Sequence, residues 1–576
     1  MATRQISSPA IPRPGSRRLH ASPAAALRRN SIPTTIRSFS RWSLCMNGSK
    51  AAGSGRDCRI PVDIRQTRTF RAVRTPAEAL EQLRAVVLEL SSNPPSSPSG
   101  VIRLEVPIQQ QVDAVSWLHS QPVVPCFYFS GRSSRDKINA FDVYNGVNGE
   151  YKNVGEKSII SVAGVGSAVY FQQPTPFSLE DWWCIRRFLY KECPLVRAYG
   201  AMRFDPSTNV SFEWQSFGSF YFIIPQQVEI NELKGSSILA TTIAWDESLL
   251  WSWEKAMGSI QATLSQISSS ISEFGKEEPA VVLGVNHMPD KASWEVAVRN
   301  ALKAINSTGF NSKLHKVVLA RSSRVHTNAS IDPLHLLASL QKEGRHFYQF
   351  CIRPPQSPAF IGNTPEQLFH RLHLSVSSEA VAGTRPRGKF LEEDIQIEHD
   401  FLLSPKDHLE FEIVRETIRR KLEMICDQVI VEPEKMILKL PRVQHLCARI
   451  LGKLRSEEDE FDVLSHLHPT PAVCGFPTDE ARQFIEETEI FDRGMYAGPV
   501  GWFGGRETEF AVGIRSGLVD KGLGALIYAG AGIVKGTVPS MEWEELELKA
   551  SQLLKFLGVN TLTTSYQKMD IGIRRA

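Results

Sequence analysis

Cysteine is sparse in this chain of 576 residues, and no two cysteines form a close pair. The nine cysteines are scattered, and none stands in a Cys-x-x-Cys sequence. Structural zinc sites use such close pairs, and disulfide frameworks use an even number of cysteines at short spacings. The pattern argues against both, so we expect a protein of a reducing compartment.

Long apolar runs are also missing. The best candidate, GLGALIYAGAGIV at 522–534, is glycine-rich and shorter than the roughly 20 residues that a helix needs to span a bilayer. Because 42% of the residues are hydrophobic, the chain can instead bury one large core or several ordinary ones. We therefore expect no membrane span.

Acidic residues are absent from the first 56 positions. This segment holds ten Lys or Arg residues and ten Ser residues, and it contains no apolar run typical of a secretory signal. The composition predicts a transit peptide over 1–56, for a plastid or a mitochondrion; the alternative is a disordered basic tail that binds an acidic partner. The rest of the chain has more acidic than basic residues, which argues against nucleic acid as a partner.

Alternating strand patterns predominate between about 100 and 230, and helical periodicity appears elsewhere. The strand-like segments lie at 100–108, 124–131, 167–173, 197–205 and 217–225. The helical segments lie at 75–90, 248–274, 293–307, 407–426, 478–488 and 542–557, with Ser293 as the expected N-cap of the third. These patterns predict an α+β fold with a large, mainly antiparallel sheet.

Two helical segments carry acidic pairs at the same spacing. Asp407 and Glu410 are three residues apart, as are Glu542 and Glu545, so each pair shares one helix face. One interpretation is a solvated helix edge, with Glu545 and Lys549 as an ion pair. The other is a shared Mg²⁺ site, because Mg²⁺ is held by one or two carboxylates, waters and an anionic substrate.

A lysine opens an apolar strand pattern in LHKVVLAR at 314–321. Taken alone, Lys316 is most simply a lysine exposed at a strand end. Four further segments contain small residues, prolines or charges in tight turns, namely FIGNTPEQLFHR at 360–371, AGTRPRG at 382–388, HPTPAVCGFP at 468–477 and YAGAGI at 528–533.

These segments resemble segments of the chorismate-utilising enzymes. The segments SPKDHLEFEIV, FDRGMYAGPVGW, EFAVGIRSG and EWEELELK show the same resemblance, and all of them occur in the family's order over about 310–557. The resemblance implies an α+β fold in which two large antiparallel sheets pack together with helices outside. It also implies a buried Mg²⁺ site. Glu410 and Glu545 match the metal ligands, with Asp407 and Glu542 as their neighbours in the surrounding shell.

The resemblance also assigns the residues that would hold chorismate. Tyr496 and Arg515 match the residues that bind the enolpyruvyl carboxylate, for which a planar guanidinium is well suited. The other matching substrate-binding positions are Gly383, Thr384, His468, Gly530, Ala531, Gly532 and Lys549.

Two residues match the proton-transfer groups of the family. Lys316 matches the base that activates water for addition at C2, and Glu366 matches the acid that protonates the leaving C4 hydroxyl. Members that add ammonia typically carry glutamine where Lys316 stands, and the His-Pro-Thr-Pro sequence at 468–471 favours release of isochorismate. The alternatives are a salicylate-forming or aminating enzyme and a catalytically silent homologue.

The domain organisation that we expect follows from the composition and patterns of the sequence together with the family resemblance. It is a transit peptide at 1–56, the N-terminal part of the α+β fold at 57–275, the catalytic region at 290–560 and a tail at 561–576. With its plastid-like leader, the chain looks like a plant member of the chloroplast stroma that supplies salicylate and phylloquinone synthesis. No glutaminase segment is visible, so we expect a monomer that needs no glutaminase subunit.

Overall fold

The described part of the chain is almost entirely the region after the predicted leader. The computed structural model describes residues 46–47, 58–132, 159–224, 228–271, 274, 280–307, 314–342, 347–431, 435–520 and 524–559. The predicted transit peptide, apart from positions 46–47, and the predicted tail at 561–576 lie outside the described residues.

Strands dominate the described residues. In chain order they are β1 Met46–Asn47, β2 Ile64–Thr69, β3 Ser99–Ile108, β4 Cys126–Ser130, β5 Ile159–Val165, β6 Val169–Gln173, β7 Arg197–Met202, β8 Phe220–Ile224, β9 Val228–Leu233, β10 Ser236–Asp246, β11 Val282–Met288, β12 Lys316–Thr327, β13 Tyr348–Arg353, β14 Ala359–Thr364, β15 Gln367–Leu372, β16 Ser375–Pro386, β17 Cys426–Val431, β18 Met436–Lys439, β19 Val443–Leu454, β20 Gly475–Phe476, β21 Pro499–Gly504, β22 Glu507–Val512, β23 Ser516–Asp520 and β24 Gly524–Ile533.

These strands form two large sheets. Sheet 1 has the order β1-β6-β8-β7-β21-β22-β15-β16-β19-β17, with β18 on β19. Sheet 2 has the order β11-β12-β24-β23-β14-β13-β4-β5-β9-β10-β3-β2, with β20 on β12. The pairing is antiparallel except at one edge of each sheet, where β1 and β2 run parallel to β6 and β3. The predicted fold class is thus confirmed.

Each sheet consists of two contiguous blocks of strands. Strands that precede residue 275 occupy one end of each sheet, and strands that follow it occupy the other end. The blocks meet at one junction per sheet, where β7 pairs with β21 in sheet 1 and β4 pairs with β13 in sheet 2. One continuous hydrophobic core includes residues of both sheets. Phe127 of sheet 2 and Tyr199 of sheet 1, for example, have ring centroids 4.7 Å apart.

The helices bury one face each against this double sheet. They are α1 Pro76–Ser92, α2 Ala114–His119, α3 Leu179–Arg186, α4 Trp253–Gln266, α5 Lys291–Asn306, α6 Pro333–Gln341, α7 Leu391–Leu403, α8 Pro405–Glu423, α9 Glu460–Leu467, α10 Thr478–Thr488 and α11 Pro539–Phe556. None of the helices in the described residues is long and apolar enough to cross a membrane.

The caps explain where the helices begin. The predicted N-cap at Ser293 is wrong, because α5 begins two residues earlier. The side chain of Asp290 accepts a hydrogen bond from the Ser293 backbone N–H, which places Asp290 at the cap. In α8 the side chain of Ser404 caps the Asp407 N–H, and Pro405 occupies the first turn, where it costs no hydrogen bond. This start fixes which residues of α8 face the sheets.

Candidate active site

A buried cavity opens where the two sheets meet α8 and α11. The volume inside it that is accessible to water is about 60 Å³. Nine of the positions predicted from the sequence line it, namely Glu366, Gly383, Thr384, Glu410, Tyr496, Arg515, Gly530, Gly532 and Lys549. Apolar side chains complete the wall, among them Val318, Val381, Ala472, Val473 and Ile514.

Lys316 is fully buried behind this lining. It is the first residue of β12, and its Nζ lies 3.0 Å from Glu410 Oε1 on α8. Glycine at 532 makes this approach possible. A Cβ at Gly532 would lie 2.2 Å from Glu410 Oε1 and 3.3 Å from Lys316 Cε. The ion pair therefore packs directly against the backbone of β24, at the edge of the cavity.

Glu366 lies in the link between the two sheets. It stands between β14 of sheet 2 and β15 of sheet 1, and its backbone N–H donates to Thr364 Oγ1 over 3.3 Å. Burial raises the pKa of its carboxyl to about 8, opposed chiefly by the positive charge of Lys316 and supported by the negative charge of Glu379. A carboxyl with this pKa is still largely protonated at neutral pH, so it can donate a proton.

Gly383 and Thr384 line the cavity because β16 bulges there. The pairing of β16 with β19 loses register between Ala382 and Arg385, and Gly383 has a φ of 70°. A left-handed backbone of this kind suits glycine. The bulge turns the Gly383 carbonyl toward His445 of β19, whose Nδ1 lies 2.8 Å from that oxygen.

His445 is a cavity residue that the sequence did not reveal. Its Nδ1–H donates to the Gly383 carbonyl, and its Nε2 accepts from Arg515 Nη2 at 3.3 Å. Burial, reinforced by the charge of Arg515, lowers the pKa of His445 to about 3. The imidazole is therefore neutral and orients the arginine. A single histidine within an apolar strand pattern carries no signal of this role, because the contact depends on the bulge in the neighbouring strand.

Arg515 provides a buried positive charge at the cavity wall. Its hydrogen bonds go to the Lys549 carbonyl and to His445. Burial lowers its pKa to about 10, although nearby acidic groups oppose the shift. Burial also raises the pKa of Tyr496 to about 12, so its hydroxyl remains a neutral donor. A guanidinium that is held by hydrogen bonds to a carbonyl and an imidazole is well placed to bind a ligand carboxylate.

The other acidic residues of the prediction surround the cavity without lining it. On α11, Glu545 Oε1 lies 2.6 Å from Lys549 Nζ, which also donates to the Gly530 carbonyl at 2.9 Å. Glu542 accepts from Lys406 at 2.7 Å. Asp407 pairs with Arg385 at 2.5 Å.

The carboxylates fit a hard divalent cation. Lys406 interacts electrostatically with Glu542, Glu410 and Glu545, which places these acids in one region between α8 and α11. Glu542 Oε2 is buried and has no hydrogen-bond partner among the residues that the structure describes. Within the described residues, no group of three or more His, Cys, Asp or Glu side chains is placed to hold a metal ion. Two carboxylates completed by waters and an anionic ligand are the donor set that Mg²⁺ uses.

Two predicted substrate-binding positions are placed elsewhere by the structure. His468 does not line the cavity, because its Nε2 lies 3.1 Å from the backbone carbonyls of Arg203 and Phe204 and bonds to them. Burial lowers its pKa to about 4, so it acts as a neutral donor to the backbone. Ala531 alternates with Gly530 and Gly532 along β24, so its side chain lies on the opposite face of the strand.

The cavity offers a buried guanidinium that suits a small carboxylate-bearing molecule. Comparison with known proteins makes this specific. Residues 100–558 match the family model described as chorismate binding enzyme, and the chain belongs to that family. The family resemblance seen in the sequence is thereby confirmed.

The relatives and structural neighbours are consistent with each other. The chain is 52% identical over 521 residues to isochorismate synthase 2, chloroplastic, of Arabidopsis thaliana, covering 90% of this chain and 91% of the relative. It is 50% identical to the chloroplastic isochorismate synthase of Catharanthus roseus, covering 91% and 92%. Among solved structures, the menaquinone-specific isochorismate synthase MenF of Escherichia coli superposes with a TM-score of 0.68 at 27% identity, covering 84% of this chain and 99% of that one.

Proposed function

We propose that this protein is an isochorismate synthase that converts chorismate to isochorismate with Mg²⁺. The observation that carries the proposal is the placement of the buried Lys316 amine and the buried Glu366 carboxyl at one cavity, beside the guanidinium of Arg515. The names of the two plant relatives support the same activity.

The reaction exchanges a water oxygen at C2 for the hydroxyl at C4 of the ring. Lys316 takes a proton from the incoming water, for which it must be a neutral amine. Its ion pair with Glu410, at 3.0 Å, must therefore loosen before the amine can act. Glu366 gives its proton to the C4 oxygen, which leaves as water, so one water enters and one departs.

The remaining groups hold the substrate. Arg515 and Tyr496 would bind the enolpyruvyl carboxylate, and Gly383 and Thr384 would contact it at the bulge of β16. Glu410 and Glu545 would hold Mg²⁺, which when bound supplies positive charge for the ring carboxylate. The apolar wall around Val318 and Val381 excludes bulk water from the reacting ring.

Product analysis tests the proposal. The purified protein is incubated with chorismate and Mg²⁺, with and without an ammonium salt, and the products are separated by chromatography. We expect isochorismate under both conditions. Salicylate with pyruvate, formed without a partner lyase, would identify a salicylate synthase, and an aminated product would identify an aminating enzyme.

We further propose that the protein works as a monomer in the chloroplast stroma without a glutaminase subunit, and that its product supplies salicylate and phylloquinone synthesis. The acid-free N-terminal composition and the chloroplastic names of the plant relatives support the location. Import of the full chain into isolated chloroplasts, followed by N-terminal sequencing, tests the location and the cleavage point. Light scattering of the active protein tests the monomer.

A further inference from the structure

Arg132, from the N-terminal block of sheet 2, contacts the backbone next to Glu366. It lies two residues after the end of β4, at the junction where β4 pairs with β13. Its Nη1 donates to the Pro365 carbonyl at 3.0 Å, and Pro365 immediately precedes Glu366. Its guanidinium carbon lies 5.2 Å from the ring centroid of Tyr348. The arginine thus fixes the backbone from which the Glu366 side chain projects.

Arg132 also holds a second buried carboxylate near Glu366. Its Nη2 forms an ion pair with Glu379 Oε1, and the two side chains are only 13% and 9% exposed. Glu379 lies on β16 two residues before Val381, so both side chains are on the face of the strand that lines the cavity. Glu379 Oε2 is buried without a hydrogen-bond partner in the described part of the protein.

The ring of Tyr348 anchors this pair in the fold. The Tyr348 hydroxyl donates to Glu509 Oε1 at 3.1 Å and accepts from Gln367 Nε2 at 2.8 Å. Gln367 follows Glu366 directly. The link between the two sheets is therefore held on one side of Glu366 by Arg132 and on the other side through Tyr348.

Three positive charges act electrostatically on Glu366. The charged and titratable groups that act on it come from four further parts of the fold, namely Lys316 of β12, Lys549 of α11, Arg515 before β23 and Tyr496 before β21. The three cations favour the ionised carboxylate, which cannot donate a proton. Burial and the negative charge of Glu379 oppose them.

We propose that Arg132 and Glu379 are a positioning pair that keeps Glu366 oriented and protonated as the proton donor of the reaction. Arg132 fixes the backbone at Pro365, and Glu379 keeps negative charge beside the acid. Neither residue lines the cavity. The inference rests on the proposed function, since it concerns the acid assigned there.

The test variant is Glu379→Gln in the full chain, because glutamine retains an oxygen that can accept from Arg132 while the negative charge is lost. We expect the alkaline limb of the kcat profile to move to lower pH by roughly one unit, with KM for chorismate changed less than about twofold. Glu379→Asp, which keeps the charge, should restore the wild-type profile.

The control is Glu507→Gln, which removes the same charge from a similar pair. Arg197 bonds to Glu507 at 3.2 Å and stacks on Trp502; the Arg197 and Glu507 side chains are 12% and 24% exposed. The other oxygen of Glu507 lies 2.8 Å from His370 Nε2. Glu507 pairs with Leu372 at the far end of the β15–β22 ladder from Glu366. The pH profile of kcat for Glu507→Gln should coincide with that of the wild type. An unmoved limb in Glu379→Gln, or an equal shift in the control, would overturn the proposal.

A second measurement separates this inference from the proposed function. Infrared spectroscopy follows the carbonyl band of a protonated carboxyl through a pH titration, and Glu366→Gln identifies the Glu366 band by its loss. The titration midpoint should fall in Glu379→Gln whether or not isochorismate is the product. A wrong product with a lowered midpoint would reject the function alone, and an unchanged midpoint would reject the positioning role.

Discussion

At the scale of single residues, the contact between Gly532 and Glu410 is the tightest constraint on the cavity. Gly532→Ala would place a Cβ 2.2 Å from Glu410 Oε1, so the carboxylate must leave its position against β24. We expect kcat/KM for chorismate to fall at least about tenfold, or about 1.4 kcal/mol, together with weaker Mg²⁺ activation. Gly284→Ala on β11 is the control, because its Cβ would meet nothing within 4 Å. Equal activity of the two variants would contradict this reading of the contact.

Also at this scale, the protonation of Glu366 should set the alkaline limit of activity. Its pKa of about 8 means that the donor form is present below that pH and is lost as the pH rises through it. We expect kcat at saturating chorismate and Mg²⁺ to fall about tenfold for each further unit. The measurement is a rate profile over about pH 6 to 10, with Glu366→Gln expected to be inactive across the range. A kcat that stays constant well above pH 8 would show that Glu366 is not the proton donor.

At the scale of elements, α8 and α11 are expected to hold the metal between them. Glu545→Gln retains the shape of the side chain and its place beside Lys549 but removes a charge, so we expect the Mg²⁺ concentration for half-maximal activity to rise about tenfold or more. Glu544→Gln is the matched control, because Glu544 is the exposed neighbour on the same helix. The measurement is a Mg²⁺ titration of both variants. An unchanged titration in Glu545→Gln would exclude it as a ligand.

The helices and strands also show which structural features the sequence predicts and which it does not. Periodicity located α10 at Thr478–Thr488 and α8 within a few residues, because one face of each helix is buried and the pattern records that face. The pairing order of the strands had no local signal, since it depends on contacts between distant segments. The same limit explains His445, whose role depends on a bulge in β16, and His468, whose ring is bound by backbone carbonyls about 265 residues away in sequence.

At the scale of the whole molecule, the two halves of the chain complete each other's sheets. The groups assigned to chemistry all follow residue 315, yet Arg132 of the earlier half bonds to Pro365 beside Glu366. Without residues before 275, the strands β13 and β21 would lose their partners β4 and β7. Unpaired central strands expose backbone groups and apolar faces that favour aggregation.

We therefore expect residues 290–560 expressed alone to aggregate or to lack fixed tertiary structure, as judged by solubility and near-ultraviolet circular dichroism. Two pieces separated between residues 274 and 280, outside any strand or helix of the described residues, should instead associate when produced together. Each piece supplies the partner strands of the other at both junctions, so their complex should recover isochorismate formation. An isolated 290–560 piece that is folded and active would show that the catalytic region is a domain in its own right, and that the β4–β13 and β7–β21 pairings are dispensable.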